Sequence, residues 1–310
     1  MLIVILMPQL DNIDKQILTI LATDCRTSYR EIAKSLGMSA TAVKRRVDDL
    51  IEKGVILGFH VEFASSMIGS DVLYMWLKTD AIEDIEQFIS EIALIRGIMQ
   101  ITRIYGGDLM VIAEYTSSLE LATLTEAFRR IPHIISMEMH TLLSPHGKKV
   151  DLTHLQLRVL KALLKDARMQ INDIASETGL TVRIVRKTLR ELKQSEAIRF
   201  TLIWRLNVGE RVTFILKMRW DPKQTSREQI IEMMVKRYQE EFWEILASAN
   251  EPFLVVAATV DSMNDVDAIT TNLKSYPGIT YSEAFLYRPT YRYKSIKRLR
   301  LEAVVQAAEV

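Results

Sequence analysis

An internal duplication constrains this chain more than any other feature. Shifted by 142 positions, the sequence meets itself without a gap, pairing Leu18 with Leu160, Leu21 with Leu163, Asp24 with Asp166, Arg26 with Arg168 and Ile32 with Ile174. The same shift pairs Ala33 with Ala175, Gly37 with Gly179, Val43 with Val185, Leu50 with Leu192 and Ile56 with Ile198. Farther along the shift becomes 145, matching Pro132 with Pro277, Ile134 with Ile279 and Glu138 with Glu283. A repeat with a drifting offset means that each copy has two parts, with small insertions tolerated between them. The fold to be explained is therefore about half of the 310 residues, built twice.

The first part of each copy reads as three helices. Ile13, Ile17, Leu18 and Leu21 recur at helical spacing, and Ser28 with Glu31 three residues on is a capping-box start for a short helix ending at Gly37. Ser39 then caps a third helix, SATAVKRRVDDLIEK, that stops at Gly54. Two short helices joined by a tight glycine-containing turn, the second one basic, form a helix-turn-helix pattern. The stretch 151–199 repeats it, with Gly179 in the turn, Thr181 as the cap and Glu196 in place of Gly54.

The second part alternates strands and helices. Strands are expected at Asp71–Thr79, Ile98–Tyr105, Leu109–Tyr115 and Ile134–Leu143, with helices at about 82–95 and 118–130. The order βαββαβ is the ferredoxin-like unit. Copy two places its strands near 211–220, 243–249, 253–260 and 279–287. Leu109–Ala113 and Phe253–Ala258 are apolar on both faces, so helices should cover one side of each sheet and the other sheet its second side. The expected fold class is α+β, with tandem winged-helix-type helix-turn-helix domains each followed by a βαββαβ ferredoxin-like domain. The boundaries are an N-terminal extension at 1–9, helix-turn-helix domains at 10–58 and 149–202, ferredoxin-like domains at 59–148 and 203–292, and a basic C-terminal tail at 293–310.

With 40 Lys+Arg against 39 Asp+Glu, whole-chain charge points to no polyanion partner. The modules differ. Residues 10–56 carry a net +1, 57–150 carry −5, 151–199 carry +4, 200–286 carry −3 and 287–310 carry +4. Positive charge collects on the helix-turn-helix parts and the tail, as expected when one part of a protein approaches phosphate and another does not. The one cysteine, Cys25, excludes a disulfide framework and a thiolate zinc site and fits a reducing compartment. Five scattered histidines suggest no metal centre, and no phosphate loop, dinucleotide fingerprint or nucleophile elbow appears, so neither metal nor cofactor is expected. The apolar opening Met1–Met7 is far shorter than the ~18 residues of a membrane span and lacks the basic start of a signal peptide. A cytoplasmic location without membrane contact is expected.

The stretch LDNIDKQIL followed by REIAKSLGMSATAVKRRVDDLIEKGVILGF resembles the DNA-binding domain of the Lrp/AsnC family of transcriptional regulators. The βαββαβ unit resembles that family's regulatory domain, and the likeness covers nearly the whole chain, twice over. Copy two departs from the pattern, with Thr153 and Gln156 where acidic residues are favoured, as at Asp11 and Asp14. Family members are usually half this length and dimerise through their regulatory sheets. The resemblance therefore implies an intrachain pseudo-dimer, open to further homo-oligomerisation, with double-stranded DNA as partner.

On the third helix Val43, Val47 and Leu50 are spaced to face the core, which turns Thr41, Lys44 and Arg45 outward beside the capping Ser39. Arg46 lies nearer the core edge, as a phosphate contact or a packed stem. In copy two Val185, Leu189 and Leu192 form the core set, leaving Arg183, Arg186, Lys187 and Arg190 as a basic stripe behind Thr181. These side chains are the expected DNA contacts, and because the two faces differ, an asymmetric operator is expected. The tail Tyr287–Arg300 interleaves aromatics with cations. It reads either as a phosphate-contacting extension with stacking tyrosines, or as a last strand prolonged through Tyr287, Tyr291 and Tyr293 and followed by a surface helix. Leu299, Leu301, Val304 and Val305 suggest a short amphipathic end that docks on a neighbour.

The resemblance also implies a small effector, commonly an amino acid, near the turn Tyr105-Gly106-Gly107-Asp108, although a Gly-Gly-Asp between strands is equally an ordinary hairpin turn. Copy two has Asn250-Glu251-Pro252 there, so any pocket would be asymmetric. Two other readings stay open. Sirohaem decarboxylases have a similar build and use histidine and arginine in a tetrapyrrole cleft, for which His140 is the candidate; alternatively the chain is an assembly factor with vestigial DNA-binding modules.

Overall fold

The computed structural model describes residues 10–80, 82–205 and 211–308. The extension expected at 1–9 lies outside the described residues. Copy one runs α1 (Asn12–Thr23), α2 (Tyr29–Leu36), α3 (Ala40–Glu52), β1 (Ile56–Phe63), α4 (Ser65–Ile68), β2 (Asp71–Thr79), α5 (Ile85–Ala93), β3 (Ile98–Ile104), β4 (Leu109–Tyr115), α6 (Ser118–Arg130) and β5 (Ile134–Leu142). Copy two runs α7 (His154–Leu163), α8 (Ile171–Thr178), α9 (Val182–Gln194), β6 (Ile198–Trp204), β7 (Val212–Trp220), α10 (Arg227–Tyr238), β8 (Phe242–Ala247), β9 (Phe253–Val260), α11 (Met263–Lys274) and β10 (Ile279–Arg292). A last helix, α12 (Ile296–Ala307), follows.

Local chemistry explains the helix ends. Asp11 and Asp14 form a capping box at α1, Ser28 and Glu31 one at α2, and the neutral pair Thr153 and Gln156 does the same at α7. The second copy thus loses the acidic pair without losing the cap. After α3 the chain turns through Gly54 at φ 69°, and at the matching place Glu196 adopts φ 55°, a left-handed conformation that a side chain resists.

The copies do not fold one after the other as separate bodies. Leu10–Ser70, Pro145–Arg205 and the tail from Lys294 make one compact unit, and Asp71–Ser144 with the second ferredoxin-like stretch through Tyr293 makes another. In the helical unit β1 and β6 pair antiparallel, with Phe59 opposite Leu202, Val61 opposite Phe200 and Phe63 opposite Ile198. One apolar core serves both copies and the tail, holding Cys25, Val61 and Phe63 together with Val159, Leu163, Val185, Leu192, Leu301 and Val305.

The tail helix is not the surface helix expected. Ile296, Lys297 and Arg298 are buried, and the Arg298 guanidinium donates to Val61 O at 2.7 Å and Leu164 O at 2.6 Å. Its Nε gives to Glu302 at 2.7 Å. Leu299, expected on the docking face, is exposed.

The sheet unit has eight strands in the order β5-β2-β4-β3-β10-β7-β9-β8. Strand β10 belongs to both halves: Ile279–Leu286 pairs with β7, and Tyr287–Arg292 pairs with β3. A register shift between Tyr287 and Thr290 brackets Pro289, which has no N–H to give the ladder. At the outer edges β5 and β8 meet in a bridge between Leu142 and Ser248, with the Leu143 N–H donating to Ala247 O at 2.8 Å. Helices α5 and α6 cover Leu73, Met75, Ile101 and Val111, and α10 and α11 cover Phe214, Leu216, Leu254 and Val256. Between the half-sheets lie Tyr74, Trp76, Ile112, Ile215, Phe253 and Val255, so each half-sheet does cover the other.

Candidate nucleic-acid interface

The two helices expected to meet DNA start alike. Ser39 Oγ accepts the Ala42 N–H at 3.1 Å, and Thr181 Oγ1 accepts the Ile184 N–H at 3.3 Å, which fixes where each helix begins. Helix α3 buries Val43, Val47 and Leu50 and exposes Ser39, Thr41, Lys44 and Arg45. Helix α9 buries Val185, Thr188 and Leu192, so Thr188 takes the place expected of Leu189, which is half-buried. Thr181, Arg183, Arg186, Lys187 and Arg190 are exposed.

Alike in outline, the faces differ in how their cations are engaged. On α3, Lys44 Nζ lies 2.6 Å from Asp48, whose hydrogen bond and charge push the ammonium's pKa up. Arg46 donates to Asp11 at 2.7 Å and to Asp14 at 2.8 Å, so the structure ties it to the start of α1. Burial pushes the Asp11 carboxyl up, but the Asp14 N–H and Arg46 outweigh it and hold it below its ordinary value. On α9 Lys187 faces Glu191 at 3.7 Å and Lys193 faces Asp24 of the other module at 2.5 Å; Arg183, Arg186 and Arg190 have no ion pair among the described residues.

The turn expected to hold an effector joins β3 to β4. Asp108 accepts the Trp76 Nε1–H at 2.8 Å, Gly107 O accepts from Thr79 Oγ1 at 2.8 Å, and Gly106 lies in a left-handed conformation. Tyr105 is exposed, with the Arg288 guanidinium 4.9 Å from its ring centroid. His140 is packed shut between the half-sheets. Its ring is stacked 3.8 Å from that of Phe253 and its Nε2 lies 3.2 Å from Glu138. Among the described residues no group of His, Cys, Asp and Glu side chains could hold a metal ion, and no helix is long and apolar enough to cross a membrane.

Two polar groupings escaped the sequence. One is an exchange of arginines between the helix-turn-helix modules, Arg26 and Arg168, which the repeat had matched without showing their partners. The other is an ionic cluster of Glu138, Lys217, Arg219 and Glu251 between the half-sheets, where no spacing within one strand foretells the meeting.

Residues 10–51 match the AsnC-type helix-turn-helix domain, and residues 152–199 match a winged helix-turn-helix DNA-binding domain. Two such modules combined with a duplicated ferredoxin-like sheet define a helix-turn-helix protein of the transcriptional-regulator class. An uncharacterised HTH-type transcriptional regulator of Pyrococcus abyssi is 31% identical over 137 residues, 43% of this chain and 92% of the relative. The HTH-type transcriptional regulator Ptr1 of Methanocaldococcus jannaschii is 35% identical over 113 residues, 36% of this chain and 76% of that protein. LrpA of Pyrococcus horikoshii is 33% identical over 107 residues, covering 34% and 73%. The chain belongs to the Lrp/AsnC family. The siroheme decarboxylase NirDL shares the fold from end to end at 12% identity, with a TM-score of 0.54 and coverage of 96% of this chain and 100% of that one. At that identity the likeness speaks of fold alone.

Proposed function

We propose that this chain is a sequence-specific DNA-binding transcriptional regulator that acts as a fused pseudo-dimer. The observation that carries the reading is that both capped recognition helices, α3 and α9, expose hydroxyl and cationic side chains from one compact unit. The DNA-contacting set is Ser39, Thr41, Lys44 and Arg45 on one helix and Thr181, Arg183, Arg186, Lys187 and Arg190 on the other. Arg46 is assigned to holding α3 on α1. Because the faces differ, the operator is an asymmetric pair of half-sites.

Affinity for genomic fragments around the protein's own gene, measured against salt, tests this. Lys44→Ala/Arg45→Ala and Arg186→Ala/Lys187→Ala are each expected to lower affinity and to reduce the slope of log affinity on log salt by about 0.9 per lost phosphate contact. Wild-type protein that binds no fragment in a salt-dependent way overturns the reading.

The same reading includes modulation by a small effector such as an amino acid at Tyr105, Gly106, Gly107 and Asp108. Its support is the exposed Tyr105 with the Arg288 cation beside it, a place for a carboxylate and an apolar side chain. A thermal-shift screen of the free amino acids is expected to find one whose effect is lost in Tyr105→Ala.

A further inference from the structure

We propose that the two recognition helices divide their labour: α9 grips phosphates whatever the sequence, and α3 chooses the sequence. The inference rests on the DNA-binding reading and goes further, because it gives the dominant electrostatic role to the more diverged copy. Helix α9 carries five basic side chains, Arg183, Arg186, Lys187, Arg190 and Lys193, against Glu191 on the helix itself, and of the five Lys193 is taken by Asp24 at 2.5 Å. Helix α3 carries three, Lys44, Arg45 and Arg46, against Asp48, Asp49 and Glu52.

Pairing sharpens the contrast. On α3 two of the three cations are held by carboxylates at 2.6 to 2.8 Å, and any phosphate must compete with those acids for them. Arg45 is the one cation of α3 without an ion pair among the described residues. On α9 Arg183, Arg186 and Arg190 are exposed, lack a carboxylate partner among the described residues and recur at i, i+3 and i+7 over two helical turns, a rise of about 10 Å. Such a row meets a line of phosphates along its length.

Helix α3 offers the opposite. Its outward face over the first two turns presents Ser39, Thr41 and Arg45, short hydroxyls and one guanidinium able to address base edges. Farther along, Asp48 and Glu52 are exposed and repel phosphate, so only the start of the helix tolerates close approach. A helix that is neutral overall and reads with its N-terminal half discriminates more than it attracts; a helix of charge +4 attracts more than it discriminates.

The test uses the full chain with two duplexes of equal length, one selected by the wild-type protein from a random pool and one with that sequence shuffled. Arg183→Gln/Arg186→Gln/Arg190→Gln is expected to lower the salt slope by about 2 to 3 and to weaken both duplexes by the same factor. Arg183→Lys/Arg186→Lys/Arg190→Lys is expected to keep the slope and both affinities, because a phosphate grip needs charge whereas bidentate guanine reading needs the guanidinium fork. Thr41→Ala/Arg45→Ala is expected to change the slope by no more than about 1 while collapsing the preference for the selected duplex. If the lysine variant loses the selected duplex and keeps the shuffled one, α9 reads bases and the division is wrong. If the glutamine variant leaves the slope intact while the wild type is salt-dependent, α9 does not touch DNA, and the regulator reading survives on α3. Wild type without salt-dependent binding to either duplex overturns both.

Discussion

Arg26 and Arg168 each donate to the backbone of the loop that carries the other. Arg26 Nη1 gives to Ala167 O at 2.7 Å and to Met169 O at 3.2 Å, and Arg168 Nη1 gives to Cys25 O and, at 3.0 Å, to Thr27 O. Both loops are braced in the same way, with Asp24 accepting the Arg26 N–H at 2.9 Å and Asp166 accepting the Arg168 N–H at 2.8 Å. The duplication seen as matching letters is thus a reciprocal lock between the two helix-turn-helix modules. Burial lowers the Arg26 pKa, and the neighbouring Arg168 charge adds to this, so carbonyl acceptors are what make the arrangement tolerable.

The lock is unequal in energy. The Arg168 guanidinium also lies 4.4 Å from the centroid of the Tyr29 ring, whereas the residue of copy two that matches Tyr29 is Ile171. Losing a charged donor to sheltered carbonyls costs about 1.5 to 3 kcal/mol, and a cation over a ring adds about 0.5 to 1 kcal/mol. Arg26→Ala is expected to destabilise the helical unit by about 2 kcal/mol and Arg168→Ala by about 3 kcal/mol. The double variant should cost less than the sum, because the two sites share one interface. Urea titrations followed by helical circular dichroism read all three; an equal or reversed order counts against the ring contact.

Glu138 plays the corresponding part between the half-sheets, where His140, Lys217 and Arg219 converge on its carboxylate. Burial alone pushes its pKa up, but those hydrogen bonds, with the Lys217 charge, outweigh burial and hold it well below the ordinary range. The unfolded chain takes up this proton near pH 4.3, and the folded chain does so only at much lower pH. The stability Glu138 contributes is therefore full above about pH 5 and is lost as pH falls below about 4. Glu138→Gln leaves Lys217, which is 7% exposed, without its counter-ion, and should cost about 3 kcal/mol at pH 7. In urea midpoints the gap between variant and wild type should stay constant from pH 7 to about pH 5 and narrow progressively as pH falls below about 4. A constant gap would mean that the carboxylate's charge does not matter.

Strands and helices of both ferredoxin-like halves were legible because α6 carries a helical period, while β2 and β4 are short apolar runs bounded by polar or glycine-containing turns. The paired strands β1 and β6 were not, since neither has a hydrogen-bonding partner within its own copy: Val61 finds Phe200 only across the repeat. Strand β10 runs on past 287 to Arg292, as one of the two readings of the tail had it, although the sequence did not show what would hold that extension. Its last residues are held by β3 of the other copy, which offsets the break that Pro289 would otherwise impose. Charge was legible in amount but not in use. Arg298 and Arg183 look alike in a sequence count, yet one donates to main-chain carbonyls inside the core and the other faces solvent. Which cations remain for DNA depends on the neighbours that the fold supplies.

Glu196 stores strain that its sequence position already marked. It sits at φ 55° where copy one has Gly54, and its exposed side chain pairs with Lys148 at 3.0 Å. A left-handed conformation costs a non-glycine residue about 1 to 2 kcal/mol, and a solvent-exposed ion pair offsets at most about 1 kcal/mol. Glu196→Gly also loosens the unfolded chain, which works against it. The net expectation is a gain of about 0.5 kcal/mol, read as a rise in melting temperature, whereas Gly54→Glu in copy one should lower it. A fall in both variants would show that the Lys148 pair outweighs the backbone strain.

Arg46 separates folding from DNA contact on the same helix. Its guanidinium reaches the two carboxylates of the α1 capping box, so it holds the first helix to the recognition helix and is neutralised in doing so. Arg46→Ala is expected to lower stability by about 1 kcal/mol, because these pairs are only partly sheltered, and to leave the salt slope of DNA binding unchanged. Arg45→Ala, one residue away with no acid to satisfy, should do the reverse: unaltered stability and a slope lower by about 0.9. Both quantities come from one pair of proteins, by melting and by titration at several salt concentrations. If Arg46→Ala lowers the slope as much as Arg45→Ala does, Arg46 must abandon Asp11 and Asp14 when DNA arrives, and α1 would then loosen as the complex forms.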